Sequence, residues 1–326
     1  MADGATPDKI EAIRNAPSLD VLYSEAQKLN MTPGWLRRDE TAPADKAQSA
    51  FVPAHWRYEE CKAALDAAGR LIDVSLAERR NLVMRNPAGG QRGMTTRTLV
   101  AAYQMILPGE KAPSHRHSMH ALRVIIKGHG SYSTVDGEKT PMETGDVVLT
   151  PGWSWHEHGH DGDEPAYWLD GLDVPLVQLY EGMFYEDHPL KFEPNVKSVT
   201  TSPYRFPKDE IARRLDRAIA DNEGFHGPRI VLEAPTMPTM LLTMERLAAG
   251  AKTRRQRSTA NLVFSCVEGA GESIIGDDRF KWRPGDTFIV PSWTKFEHHA
   301  ESDSQLFGLS DEPVMKFGRF YRFEAD

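Results

Sequence analysis

The chain has 326 residues, 40% of them hydrophobic, and a formal charge of −8 from intermixed acids and bases, so it can bury a sizeable core but lacks the long basic run that would neutralise a phosphate backbone. Its first residues, MADGATPDKIEAIRNAP, lack the apolar centre of a signal peptide, and no apolar run nears the ~20 residues that cross a bilayer. A cytoplasmic protein with no nucleic-acid or membrane partner is expected, with Cys61 and Cys266 as reduced, buried thiols.

In chain order, SLDVLYSEAQKLN begins with a serine able to cap a helix and sets Leu19, Leu22, Ala26 and Leu29 on one face. YEECKAALDAAGRL and SLAERRNL have the same texture, so residues 1–95 read as a helical and irregular N-terminal segment. From Thr96 the texture changes to short apolar runs punctuated by Gly and Pro: TLVAAYQMIL, ALRVIIKG, GSYSTV, GDVVLT and AYWLDGLDVPLVQLY. That pattern predicts a many-stranded antiparallel unit over 96–190. KDEIARRLDRAIADNEG, with Ile211, Leu215 and Ile219 at helical spacing, predicts a helix within a linker over 191–235. Strands resume over 236–326 in TMLLTMERL, NLVFSCVEG, ESIIG, DTFIVPS and QLFGLS.

The two β regions repeat one another. Placing Gly109 on Gly250 brings RVIIKGHG over FSCVEGAG, and after a one-residue slip TGDVVLTPGW lies over PGDTFIVPSW. LDVP then finds its echo in SDEP. Three matches in the same order argue for a duplicated unit, and its strand, turn and corner pattern suits a small closed barrel or jelly roll.

Seven of the twelve histidines lie between Ala112 and His160. His115 and His117 are one residue apart, so on a strand they point to the same face, and His156 follows the Pro151-Gly152-Trp153 corner. Three neutral imidazoles from facing strands would hold one metal ion and leave positions open. The duplicate has Gln256, Ser258 and Phe296 at these places while keeping its turns and its corner. Loss of the three together marks them as one functional set, so a metal is expected in the first unit and none in the second. His158 shares the parity of His156 and keeps a counterpart, His298; it is expected to face the cavity, whereas His120, His129 and His160 are expected to face solvent.

The segment PGEKAPSHRHSMHALRVIIKGHGSYSTVDGEKTPMETGDVVLTPGWSWHEHG resembles the first cupin motif pair, and with DGDEPAYWLDGLDVPLV it is similar to the gentisate and salicylate 1,2-dioxygenase group of ring-cleaving dioxygenases, which includes substituted-salicylate and 1-hydroxy-2-naphthoate enzymes. WHEHG with WLDGLD is the specific part. LNMTPGW, AERRNLVMRNP and YQMILPGE extend the resemblance upstream, so it covers most of the chain. It implies a mainly β fold of two tandem cupin barrels behind a helical N-terminal segment, the second barrel metal-free. It also implies one iron(II) per chain on His115, His117 and His156, and a homo-oligomer, a tetramer by analogy. The Glu ligand of many cupins is missing, with Ala121 and Leu122 in its region, which fits a three-histidine subgroup.

The resemblance further implies a small aromatic 2-hydroxy acid and dioxygen as reactants in extradiol-type ring cleavage between the carboxyl- and hydroxyl-bearing carbons. Arg123, replaced by Phe264 in the duplicate, is the expected clamp on the substrate carboxylate, and His158 the group that helps deprotonate the hydroxyl. Gln104 and Asp170 correspond to pocket positions, Asp170 orienting His158 or Arg123, and Arg79 or Arg80 is expected to add a second cation from the N-terminal segment. Met119, His120 and Val100 depart from the usual pattern at the pocket edge and bear on which ring substituent is accepted. The residues leave two other readings open: a cupin isomerase or decarboxylase using manganese or zinc, and a non-catalytic two-cupin binding protein.

Overall fold

The computed structural model describes residues 7–35, 47–73, 80–88 and 93–326. They belong to two compact units, 1–48 and 49–326. The smaller unit carries helices Pro7–Arg14 and Leu19–Lys28, and Ser18 caps the second by accepting a hydrogen bond from the Val21 amide at 3.3 Å. Leu19 and Leu29, which the spacing sets on one face, are 60% and 45% exposed. No helix among the described residues is long and apolar enough to cross a membrane.

The larger unit holds two barrels, each made of two facing sheets. In the first barrel, one sheet runs Arg205–Phe206, Val147–Thr150, Ala121–Lys127, Ala166–Leu172, Val100–Ile106, Arg80–Val83. Facing it are Tyr185–Asp187, Lys111–His117, His156–His160, Ser131–Val135, Glu138–Pro141 and Lys197–Ser198. The second barrel repeats the first sheet strand for strand: Ala54–Trp56, Thr287–Val290, Leu262–Glu268, Ser304–Ser310, Leu241–Leu247, Arg229–Val231. Its other sheet runs Asp278–Trp282, Gly271–Ile275, Phe296–Ala300, Gln256–Ser258, Phe323–Ala325.

The repeat holds at the level of single bonds. Gly109 and Gly250 both take positive φ, +79° and +78°, and donate their amides to the His160 and Ala300 carbonyls. Trp153 and Trp293 turn the corner in the left-handed region and donate to the His117 and Ser258 carbonyls, each at 2.7 Å. Arg116 stacks over Trp153 at 4.4 Å and pairs with Glu186, just as Arg257 stacks over Trp293 at 4.5 Å and pairs with Glu324.

The repeat also reaches into segments that the sequence reading set outside the barrels. Ala54–Trp56 and the helix Tyr58–Leu71 form an arm laid on the second barrel, with the Tyr58 amide donating to Asp286 at 2.8 Å. Arg205–Phe206 and the helix Lys208–Leu215 form the matching arm on the first barrel, with the Lys208 amide donating to Asp146 at 2.9 Å. Each arm thus precedes one barrel in sequence and packs on the other. A second exchange links them: Thr98 of the first barrel donates to Asp311 of the second at 2.5 Å, and Thr239 of the second donates to Asp173 of the first at 2.7 Å. One core runs through both barrels and both arms, including Leu65, Tyr103, Leu122, Leu215, Ile289 and Phe307.

Several local expectations are corrected. Arg80–Val83, read as part of a helix, is a strand on Val100–Ile106, because an open sheet edge offers ladder hydrogen bonds that outweigh a short helical periodicity. VPLVQLY, read as strand, forms the helix Val174–Leu179 with Pro175 in its first turn, where a missing amide hydrogen costs nothing. The 208–215 helix ends before Ile219, which is 87% exposed. Both cysteines are free, Cys266 buried and Cys61 only half-buried.

Candidate metal centre and substrate pocket

The central strands of the two facing sheets set the site. His115 pairs directly with His156 across Lys111–His117 and His156–His160. Arg116, between the two strand histidines, points the other way, between the rings of Trp153 and Trp155 and onto Glu186 at 2.6 Å. The alternation of side chains along the strand therefore delivers His115 and His117 to one interior.

Each of the three imidazoles donates its Nδ1 hydrogen to a nearby backbone carbonyl: His115 to Pro113 at 3.1 Å, His117 to Met119 at 2.9 Å, His156 to Ser154 at 3.0 Å. With the proton held at Nδ1, the Nε2 lone pair of each ring is the one left to bind a metal. One ligand atom from each lies within 4.8 Å of the others, and all three residues are buried. His156 Nε2 has no hydrogen-bond partner in this interior. Burial, and then the neighbouring His115, His117 and Arg123, hold the His156 pKa well below the usual histidine range, so the ring is a neutral donor. This donor set fits a divalent first-row metal. It is the one cluster of three or more such ligands among the described residues.

Around it the first sheet presents a second group. Arg123 is 2% exposed; its Nη1 donates to Thr150 at 2.6 Å and its Nε lies 3.4 Å from Asp170, the residue directly opposite on the neighbouring strand. Asp170 also accepts from Trp168 Nε1 at 3.0 Å. Gln104 shares this face, two residues from Ala102, which sits opposite Asp170. Its Nε2 is buried without a partner. Val100, 6% exposed, continues the same face opposite Leu172. His158 is 1% exposed, its ring centroid 5.8 Å from that of His156 and 6.2 Å from that of Trp168.

The remaining expected positions separate. Arg79 lies outside the described residues. Arg80 is buried, with Nε and Nη2 on the Ile72 carbonyl and Nη1 on Glu110 at 2.8 Å. Met119 supplies the carbonyl that orients His117. His120 is half-buried rather than solvent-facing: its amide donates to Asp173 at 2.9 Å and its Nδ1 accepts from the Gly152 amide at 2.8 Å. His160 is buried as well, 1% exposed and bonded to the Glu164 carbonyl, because it keeps the parity of His156 and His158. His129 does face solvent, beside Glu143 at 3.2 Å. Thr150, Trp168 and Tyr185 were not singled out from sequence. Tyr185 stacks on His115 with ring centroids 5.3 Å apart. Strand register across GDVVLT and AYWLDGL could have found the first two; nothing local marks Tyr185.

Residues 102–173 match the cupin domain family. The chain is 36% identical to gentisate 1,2-dioxygenase 1 of Aquipseudomonas alcaligenes over 92% of this chain and 94% of that protein. It is 32% identical to 5-aminosalicylate 1,2-dioxygenase of a Comamonas species, over 95% and 92% respectively. Among solved structures it is similar to salicylate 1,2-dioxygenase of Pseudoaminobacter salicylatoxidans in adducts with gentisate, with a TM-score of 0.86, 28% identity and coverage of 96% of this chain and 95% of that one.

Proposed function

The chain belongs to the gentisate 1,2-dioxygenase family of ring-cleaving cupin enzymes, and on that premise we propose that it uses one iron(II) per chain to open a 2-hydroxybenzoate between the carboxyl- and hydroxyl-bearing carbons, incorporating both atoms of dioxygen. The observation that carries this reading is the convergence of three buried imidazoles next to a buried arginine. Iron(II) held by His115, His117 and His156 would supply the open positions at which an acidic phenol and dioxygen meet.

The chain's own residues do the rest by position and charge. Three uncharged ligands leave the positive charge of the centre to be offset by an anionic substrate. Arg123, braced by Thr150 and Asp170, receives the substrate carboxylate; its burial keeps water from competing for the guanidinium. Gln104 Nε2 donates to a hydroxyl oxygen borne by the ring, which satisfies an amide hydrogen that has no protein partner. His158 takes the proton of the substrate hydroxyl at one of its ring nitrogens. Asp170 fixes the orientation of Arg123, and Val100 and Met119 border the ring. The working form is a cytoplasmic homotetramer.

The relatives act, by name, on gentisate and 5-aminosalicylate, which differ from salicylate at the position para to the phenol. The decisive experiment loads the chain anaerobically with iron(II), offers gentisate, salicylate and 5-amino-, 5-nitro- and 5-halosalicylates, and then admits air. Oxygen uptake stoichiometric with a ring-opened chromophore is expected for at least one; no uptake with any of them sinks the reading.

A further inference from the structure

The segment that follows the helix Val174–Leu179 returns to cover the strand carrying two of the three clustered imidazoles. Its edge strand Tyr185–Asp187 sets Tyr185 opposite His117 and Asp187 opposite His115. Backbone bonds pin it at both ends: the Ser118 amide donates to the Phe184 carbonyl at 3.1 Å, and the His188 amide to the Ser114 carbonyl at 2.9 Å. Held there, the Tyr185 ring lies at 21° to the His115 imidazole, with centroids 5.3 Å apart.

A ring that is 51% exposed on an edge strand gains little from burial, so a specific contact has to fix its plane. The Tyr185 hydroxyl supplies that contact by donating to Asp187 Oδ1 at 3.1 Å. The imidazole beneath has use for such a neighbour. His115 is tied by a hydrogen bond from Nδ1 to the Pro113 carbonyl, which sets which nitrogen faces the centre but lets the ring plane rock about that bond. An offset stack against its face removes this freedom.

The second barrel shows which part of the arrangement is scaffold. There Phe323–Ala325 pairs with Gln256–Ser258 in the same register, Phe323 opposite Ser258 and Ala325 opposite Gln256. Glu186 and Glu324 each pair with the arginine of the opposing strand, so that ion pair belongs to the barrel. Tyr185 and Asp187 do not recur: phenylalanine and alanine stand in their places, and the Phe323 ring meets Phe225 edge-on at 84°. The hydroxyl and the carboxylate are absent from the same barrel that lacks the three imidazoles, which sorts them with the chemistry of the first barrel.

The geometry points to Tyr185, anchored by Asp187, as a positioning residue of the metal centre, its ring holding the His115 imidazole in the plane that binds the ion. This inference rests on the three-imidazole reading above and concerns retention of the metal. Partners that orient a ligand ring are typically worth about 10- to 100-fold in metal affinity.

The test is titration of the metal-free full chain with cobalt(II), read by its visible absorption and by competition with a chelator. Cobalt(II) takes the same imidazole donors, and its bands report the geometry around it. Tyr185→Ala is expected to weaken cobalt binding about 10- to 100-fold and to change the bands. Tyr185→Phe and Asp187→Ala install the second barrel's residues and remove only the anchor; each is expected to weaken binding about three- to tenfold. The double variant is expected to lose no more than either single one, because the two groups make one bond. Glu186→Gln loosens the same strand without touching the ring, and is expected to bind within about twofold of the parent with unchanged bands. Binding within about twofold of the parent in Tyr185→Ala, alongside loss of cobalt in His156→Ala, would overturn the inference and leave the three-imidazole centre standing. Losses that add in the double variant, or a loss in Glu186→Gln equal to that in Tyr185→Ala, would overturn it as well. Undiminished binding in His156→Ala would remove the centre itself, and the positioning role with it.

Discussion

His120 and Asn261 do the same work in the two barrels. Each donates its amide to an aspartate, Asp173 or Asp311, at 2.9 and 2.7 Å, and each accepts the amide of the residue after the corner proline, Gly152 or Ser292, at 2.8 and 3.2 Å. His115 and Gln256 also occupy one register position, opposite His156 and Phe296, yet one pair belongs to the three-imidazole cluster and the other has no imidazole. The difference teaches that the scaffold and the chemistry are separable layers: backbone-directed hydrogen bonds reproduce the barrel, and a few interior side chains decide what it holds. A histidine in this chain is therefore not by itself a sign of chemistry; its counterpart tells which layer it belongs to.

The comparison is broken most severely at the ligands. His156→Ala is expected to drop iron from one per chain to below ~0.1 and activity by at least ~100-fold, by elemental analysis and oxygen uptake, since even residues that merely orient ligands cost 10–100-fold. Phe296→Ala in the second barrel is expected to leave iron content unchanged; equal loss in both would end the assignment of one metal barrel and one empty one. Arg123→Gln comes next, with iron retained and KM raised about 10- to 100-fold, the scale of a lost charge-assisted hydrogen bond of ~1.5–3 kcal/mol. Iron loss there equal to that of His156→Ala would move Arg123 out of the substrate site.

Smaller effects sharpen the symmetry. Thr98→Val and Thr239→Val each leave a buried carboxylate oxygen short of a donor, and each is expected to cost about 1–3 kcal/mol in urea unfolding. A cost confined to one of them would show that the two exchanged contacts are not equivalent. His120→Asn, which installs the second barrel's residue, is expected to cost under ~1 kcal/mol and to leave KM within about twofold. A KM change of about tenfold or more would mean that the His120 ring serves the pocket as well as the corner.

Much of this was legible before any coordinates. Parity placed His115 and His117 together, the repeat isolated them with His156 from the scaffold, and Gly145-Asp146 with Gly285-Asp286 marked equivalent turns, their glycines at φ +90° and +89°. The slip between repeats was legible as a gap but not where it falls. Gly130 and Gly269 are the left-handed residues of the two hairpin turns, so the first-barrel turn is one residue longer. His160 is buried beside its turn because strand alternation carries it to the same face as His156 and His158.

The sequence by itself determined the duplicated barrels, the facing of the three imidazoles and the loss of that set from the second barrel, because side-chain alternation and turn chemistry act over a few residues and leave a local trace. Tertiary structure alone decided the exchanged arms, the Thr98–Asp311 and Thr239–Asp173 contacts, the bracing of Arg123 by Thr150 and the stacking of Tyr185 on His115. These join residues far apart in the chain, up to 228 positions for Tyr58 and Asp286, and no local periodicity records which distant strand will pack opposite.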